Sequence, residues 1–86
     1  TDLSDYYKAL SVKKLSLDEM LDIAKKTKAI ISQHFGPKTI RLLDLDDILS
    51  KNHLAAMNGK KAGDDEFEET RYALATAIKL IFIEIA

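Results

Sequence analysis

With 86 residues and a formal net charge of −1, the chain has a size at which we expect one marginally stable domain without a deep active-site cavity. It contains no cysteine, which excludes disulfides and thiolate metal sites, so packing or association must supply its stability. Its 13 basic and 14 acidic residues leave no basic footprint large enough to hold nucleic acid by counterion release.

The first predicted element is a short helix over residues 5–10. Ser4 or Asp2 could cap it, since both side chains can accept a hydrogen bond from a free amide at a helix start. Its inward side chains are predicted to be Tyr6, Ala9 and Leu10.

The clearest predicted helix covers residues 17–35. Ser16 is followed three residues later by Glu19, which is the capping-box pattern. Gly36 and Pro37 should end the helix, because Gly accepts a left-handed closing conformation and Pro cannot continue the hydrogen-bond ladder. Helical spacing predicts one apolar stripe, formed by Leu17, Met20, Leu21, Ala24, Thr27, Ile31 and Phe35.

A third helix is predicted over residues 39–57, ending at Asn58-Gly59. Its first half also nearly alternates like a strand, but a single strand would have nothing to pair with. We expect an irregular turn near residues 44–47 and a restart capped by one of the aspartates. The inward side chains would be Ile48, Leu49, Leu54 and Met57.

Residues 58–64 have clear turn composition and predict a loop. Acidic side chains then crowd the start of a final helix, where the dipole favours negative charge. Asp65 and Glu68 form a second candidate capping pair. The predicted inward stripe of this helix is Phe67, Arg71, Leu74, Ile78, Ile81 and Ile85.

Residues 72–86 are apolar almost all the way round, with only Thr76, Lys79 and Glu84 breaking the run. A surface helix keeps one polar face. The segment is therefore either the centre of a monomeric bundle or a helix that lends its second face to a partner. The chain also stops inside the run, as a fragment of a longer protein would. We predict partner contacts through Leu74, Ile78, Ile81, Phe82 and Ile85, with Leu80 and Ile83 nearby.

No pattern in the sequence predicts catalysis, a cofactor or a metal ion. The acidic groups at residues 44–47 and 64–69 are typical of helix capping, and the first lacks the spacing of a calcium loop. His34 and His53 could act as bases or ligands only if the fold placed a partner group beside them. The chain has no nucleophile elbow and no phosphate-binding glycine loop.

Residues 29–43 combine a helix, a glycine turn and a second helix, which are the ingredients of a helix-turn-helix. Lys38, Thr39 and Arg41 could then face DNA. Pro37 fits this motif poorly, and the aspartates of residues 44–47 would repel phosphates. DNA binding is therefore the alternative, and an ordinary helical corner is the simpler interpretation.

The sequence predicts an all-α fold, a compact four-helix bundle in which residues 1–86 form a single helical domain. The predicted function is a non-enzymatic protein–protein interaction module, acting as an adaptor, an inhibitor or an oligomerisation domain such as a dimer. A small-molecule site lined by His53, Tyr6, Tyr7 or Tyr72 stays open as a third class. Without a signal peptide, and with a final apolar run too short to cross a bilayer, we expect a cytoplasmic protein with no membrane insertion.

Overall fold

The computed structural model describes the backbone of residues 2–85, and the side chains of these residues except Asp2, Arg41, Glu84 and Ile85. The described residues form helices and connecting turns, with no strand among them, so the all-α prediction is confirmed. The five α-helices and one 3₁₀ turn are α1 (Asp2–Leu10), α2 (Leu17–Phe35), the 3₁₀ turn (Ile40–Leu42), α3 (Leu43–Ile48), α4 (Lys51–Met57) and α5 (Asp65–Ile85).

Helix α2 has the bounds that its capping signals predict. The Glu19 amide donates to the Ser16 hydroxyl oxygen at 3.1 Å, and the Ser16 hydroxyl donates to the Glu19 carboxylate at 3.0 Å. At the other end Gly36 has φ +90° and donates its amide to the Ser32 carbonyl. A side chain at this φ would be strained, which explains why a glycine closes the helix here.

The predicted third helix is divided differently from our expectation. Residues 44–47 are helical, and the break falls later, at Leu49 and Ser50. Ser50, not an aspartate, caps the restart: its hydroxyl oxygen accepts from the His53 amide at 3.3 Å and its hydroxyl donates to the Asp47 carbonyl at 2.8 Å. The hydroxyl thus competes with the backbone ladder and separates α3 from α4. The division makes five helices where four are predicted.

Helix α1 is longer than predicted and is fastened to α5. It begins at Asp2, so Ser4 lies inside the helix and does not cap it. Leu3 and Leu10 are both buried, one at each end. One guanidinium nitrogen of Arg71, Nη1, donates to the Leu10 carbonyl at 3.2 Å and to the Val12 carbonyl at 2.9 Å. This side chain thereby pairs the Leu10 carbonyl, which the helix end leaves free.

Helix α5 lies at the centre of the fold, against α1, α2 and α3. Its predicted inward stripe is confirmed for four members, since Phe67, Leu74, Ile78 and Ile81 are buried. The side chain of Ile85 lies outside the described residues. Facing them from the other helices are Met20, Ile31, Leu45 and Met57, which are also fully buried.

The loop over residues 58–64 is present as predicted, but the acidic contacts at the start of α5 lie one residue earlier. The residue before the helix is Asp64, whose carboxylate accepts from the Lys61 amide at 3.0 Å. The Glu68 carboxylate accepts from the Gly63 amide at 3.4 Å. Asp64 therefore takes the place that the sequence pattern gave to Asp65, and the turn is tied to the first turn of α5.

Candidate interaction surface

The side chains predicted to contact a partner lie mostly in the core of the chain itself. Leu74 and Ile78 are 0% exposed and Ile81 is 2% exposed. Phe82 is half-buried and packs against the same core, and the side chain of Ile85 lies outside the described residues. Because α1, α2 and α3 already cover this stripe, it offers little surface to another protein. Any contact surface on α5 must use the neighbours that point outward.

Those outward neighbours are large and apolar. On α5, Leu80 is 47% exposed and Ile83, one turn further along, is 68% exposed. Across from Leu80, Ile40 in the 3₁₀ turn is 71% exposed and Leu43 at the start of α3 is 57% exposed. Single exposed apolar side chains are ordinary on protein surfaces, whereas a contiguous group marks an interaction site.

Ile40, Leu43 and Leu80 belong to one continuous depression, which we call the α3–α5 groove. Its volume is about 230 Å³, and its lining is completed by Asp44, Ala77 and Ile81. Local sequence explains the arrangement: Leu42 and Leu45 turn into the core, so Ile40 and Leu43 are left on the outward face. The groove is partly open and lined mainly by apolar side chains, which suits inserted side chains better than an enclosed ligand.

The α3 side of the α3–α5 groove is acidic. Asp44 lines the α3 side, and Asp47 is exposed one turn further along the same helix. On α5, Lys79 is exposed next to Leu80 in sequence, but it does not line the groove. Asp46 points elsewhere, since its carboxylate pairs with the Lys28 ammonium of α2 at 2.8 Å. An apolar groove with one acidic edge can orient a partner as well as hold it.

His53 is placed beside a polar partner, but in a structural arrangement. Its Nε2 lies 2.9 Å from the Thr70 hydroxyl oxygen, which also lies 2.9 Å from the Glu66 carbonyl. The Thr70 hydroxyl has one proton to donate, and a carbonyl can only accept. We therefore infer that Thr70 donates to Glu66 and that His53 donates through Nε2, which links α4 to α5.

The remaining candidate residues lie apart. His34 is exposed at the end of α2, with its ring centroid 6.3 Å from that of Phe35. Tyr7 and Tyr72 line an open groove of about 310 Å³ between α1 and α5, whereas Tyr6 packs against the core. No group of three His, Asp or Glu side chains suited to a metal ion occurs in the described part of the chain.

The corner considered for DNA binding has a short second element. After Gly36 the chain forms the 3₁₀ turn and then α3, a helix of only six residues. Lys38 is exposed, and the side chain of Arg41 lies outside the described residues. Asp44, Asp46 and Asp47 are all exposed along α3, so the surface that would approach phosphates is acidic.

The chain was compared with protein-family models, curated proteins and solved structures. No protein-family model, no curated protein and no solved structure matches the chain significantly. Within residues 2–85, no helix combines the length and the hydropathy needed to span a bilayer. The function is therefore inferred from the geometry and chemistry of the chain's own surface.

Proposed function

We propose that this chain is a non-enzymatic protein–protein interaction module that binds its partner through the α3–α5 groove. The single observation that carries the proposal is the grouping of three exposed apolar side chains, Ile40, Leu43 and Leu80, around one depression. In a chain with a small core, exposed leucine and isoleucine weaken solubility unless a partner covers them. A bound partner would remove these side chains from water.

The proposed anchors, Leu43 and Leu80, are large apolar side chains, and such side chains carry much of the binding energy of an interface. Leu43 of α3 and Leu80 of α5 line the groove together with the buried Ile81. Covering one such half-exposed side chain contributes about 1 kcal/mol. The charged residue of the groove lining, Asp44, would contribute to orientation and association rate more than to affinity.

The non-enzymatic part of the proposal rests on what the polar side chains already do. The Thr70 hydroxyl contacts His53 Nε2, and the Arg71 guanidinium contacts the Glu68 carboxylate at 3.2 Å as well as the Leu10 and Val12 carbonyls. These groups support the fold at positions away from the groove. Adaptor, inhibitor and oligomerisation roles are all consistent with such a surface, and the lack of cysteine suits a reducing compartment such as the cytoplasm.

The experiment compares the wild-type chain with a groove variant and a matched control. Leu43→Glu combined with Leu80→Glu puts two charges into the α3–α5 groove. Val12→Glu changes an apolar side chain that is 53% exposed outside it. Partners are cross-linked in extracts of the source cell, identified by mass spectrometry and purified for titration.

We expect the groove variant to bind the identified partner at least about tenfold more weakly, because charge is buried at two anchors. Val12→Glu should change the Kd by less than about twofold, as a distant surface substitution does. If no protein, including a second copy of the chain, loses affinity specifically with the groove variant, the proposed function is wrong.

A further inference from the structure

A second depression lies between α4 and α5, and it shares no lining residue with the α3–α5 groove. We propose that this depression, which we call the α4–α5 cleft, binds a small organic cation that carries an ammonium group on an apolar body. The volume of the cleft is about 400 Å³. Ligand pockets in proteins have volumes of roughly 300 to 1,000 Å³, so a small molecule fits.

One face of each helix forms the α4–α5 cleft. Helical spacing puts residues 53, 56 and 57 on one face of α4 and residues 66, 69, 70 and 73 on one face of α5, and all of them line the cleft. Both helices carry an alanine in this lining, Ala56 on α4 and Ala73 on α5, and both alanines are exposed. Because alanine fills little volume, the two helices leave a space that larger side chains would occupy.

The cleft reaches side chains that belong to the core. Met57 is 0% exposed, Thr70 is 2% exposed and Ile48 is 4% exposed, and all three line the cleft. Together with the two alanines they make the lining mainly apolar. The apolar body of a ligand can therefore leave water here.

The charged groups of the cleft are both carboxylates. Glu66 and Glu69 line its α5 side, and none of the described residues that line it is a lysine or an arginine. The Glu66 carboxylate lies 3.7 Å from the Lys60 ammonium. Glu69 forms no hydrogen bond or ion pair with another described residue. Glu69 therefore gives the cleft a negative charge that the fold does not neutralise.

His53 adds a neutral acceptor to the same lining. Its Nε2 lies 2.9 Å from the Thr70 hydroxyl oxygen and acts as the donor, so Nδ1 of the neutral ring is left as an acceptor. An ammonium group has donors and no acceptor, which matches carboxylates and an imidazole nitrogen. An anion would be repelled by both glutamates. The lining therefore selects a cation.

The test uses the two methionines of the chain, isotope-labelled in their methyl groups for NMR. Met57 lines the cleft, whereas Met20 is buried outside it and serves as an internal control. The chain is titrated with phenethylamine, with phenethyl alcohol, which has a hydroxyl in place of the ammonium, and with phenylacetate. We expect the amine to shift the Met57 resonance with a Kd of about 1 mM or tighter, and the other two to bind at least about fivefold more weakly.

Variants locate the site. Ala73→Leu fills the cleft from α5 and Ala56→Leu fills it from α4, and each should weaken amine binding at least about tenfold. Glu69→Gln should weaken binding of the amine about fivefold and leave that of the alcohol unchanged. Asp65→Asn removes an exposed charge of the same helix outside the cleft and should change the amine Kd by less than about twofold. Circular dichroism checks that each variant is folded.

Three results would overturn the inference. They are a Met57 resonance that stays in place at about 10 mM amine, an alcohol or a carboxylate that binds as tightly as the amine, and folded leucine variants that bind the amine as wild type does. The groove variant with Leu43→Glu and Leu80→Glu should bind phenethylamine with the wild-type Kd, because neither residue lines the cleft. The cation site and the proposed function are therefore tested separately.

Discussion

Two buried threonines have opposite hydrogen-bonding situations. Thr27 in α2 is 0% exposed, and its hydroxyl has no hydrogen-bond partner among the described residues. Thr70 in α5 is 2% exposed, and its hydroxyl oxygen contacts His53, the Glu66 carbonyl and, at 3.5 Å, the Met57 sulfur. An unpaired buried hydroxyl costs free energy that a methyl group of the same shape does not.

Replacing each threonine by valine should therefore change stability in opposite directions. Thr27→Val removes the unpaired hydroxyl at nearly constant volume, and we expect it to raise the free energy of unfolding by about 1 kcal/mol. Thr70→Val leaves the His53 Nε2–H without its acceptor and should lower it by about 1 to 2 kcal/mol. Urea unfolding followed by circular dichroism measures both, and a destabilised Thr27→Val variant would contradict the reading of this site.

Sequence spacing predicts the position of one of these threonines but not the contacts of the other. The helical stripe placed Thr27 on the inward face of α2, and the structure confirms it. It gave no sign that Thr70 would bridge α4 and α5, because His53 is 17 residues away in sequence. Contacts of this kind depend on how two helices pack, which periodicity within one helix does not encode.

At the scale of elements, Arg71 joins the end of α1 to α5. Its Nη1 donates to the carbonyls of Leu10 and Val12, its Nη2 lies 3.2 Å from Glu68, and its guanidinium stacks 5.3 Å from the Phe67 ring centroid. The planar, forked guanidinium allows these contacts together, whereas a lysine ammonium is a single point. We therefore expect the stability of helix α1 to depend strongly on the Arg71 side chain.

Arg71→Lys should lower the free energy of unfolding by about 1 to 3 kcal/mol, because charge-assisted bonds to backbone carbonyls are lost. Amide hydrogen exchange should show the loss most clearly in α1. Lys25→Met, at an exposed position of α2, serves as the control and should stay within about 0.5 kcal/mol of wild type. If the amides of α1 exchange as slowly in the Arg71 variant as in wild type, Arg71 does not hold α1 against α5.

The sequence predicted elements best where caps and turn residues are local. Ser16 with Glu19 and the closing Gly36 fixed both ends of α2. The sequence does not predict Ser50 as a cap, since a serine within an apolar helical pattern does not by itself indicate that the helix ends there. The sequence does not predict the groove, because it places Ile40 and Leu43 together in the first half of the third helix, whereas the structure divides them between a 3₁₀ turn and the start of a short α3.

At the scale of the whole molecule, the apolar excess of α5 divides into two faces. One face, with Leu74, Ile78 and Ile81, fills the core, and the other leaves Leu80 and Ile83 in water. The sequence predicted that the final helix carries more apolar surface than one face needs. It did not predict which side chains would remain exposed, because that depends on where α1, α2 and α3 pack around α5.

The most direct measurement of the central claim is methyl NMR of the folded chain as its partner, a second copy or another protein, is brought to saturation. We predict that methyl resonances of Ile40, Leu43 and Leu80 shift together with one Kd, while those of Val12, exposed outside the groove, stay in place. Shifts that spare the groove residues, or that centre on Val12, would contradict the assignment of the α3–α5 groove as the binding surface.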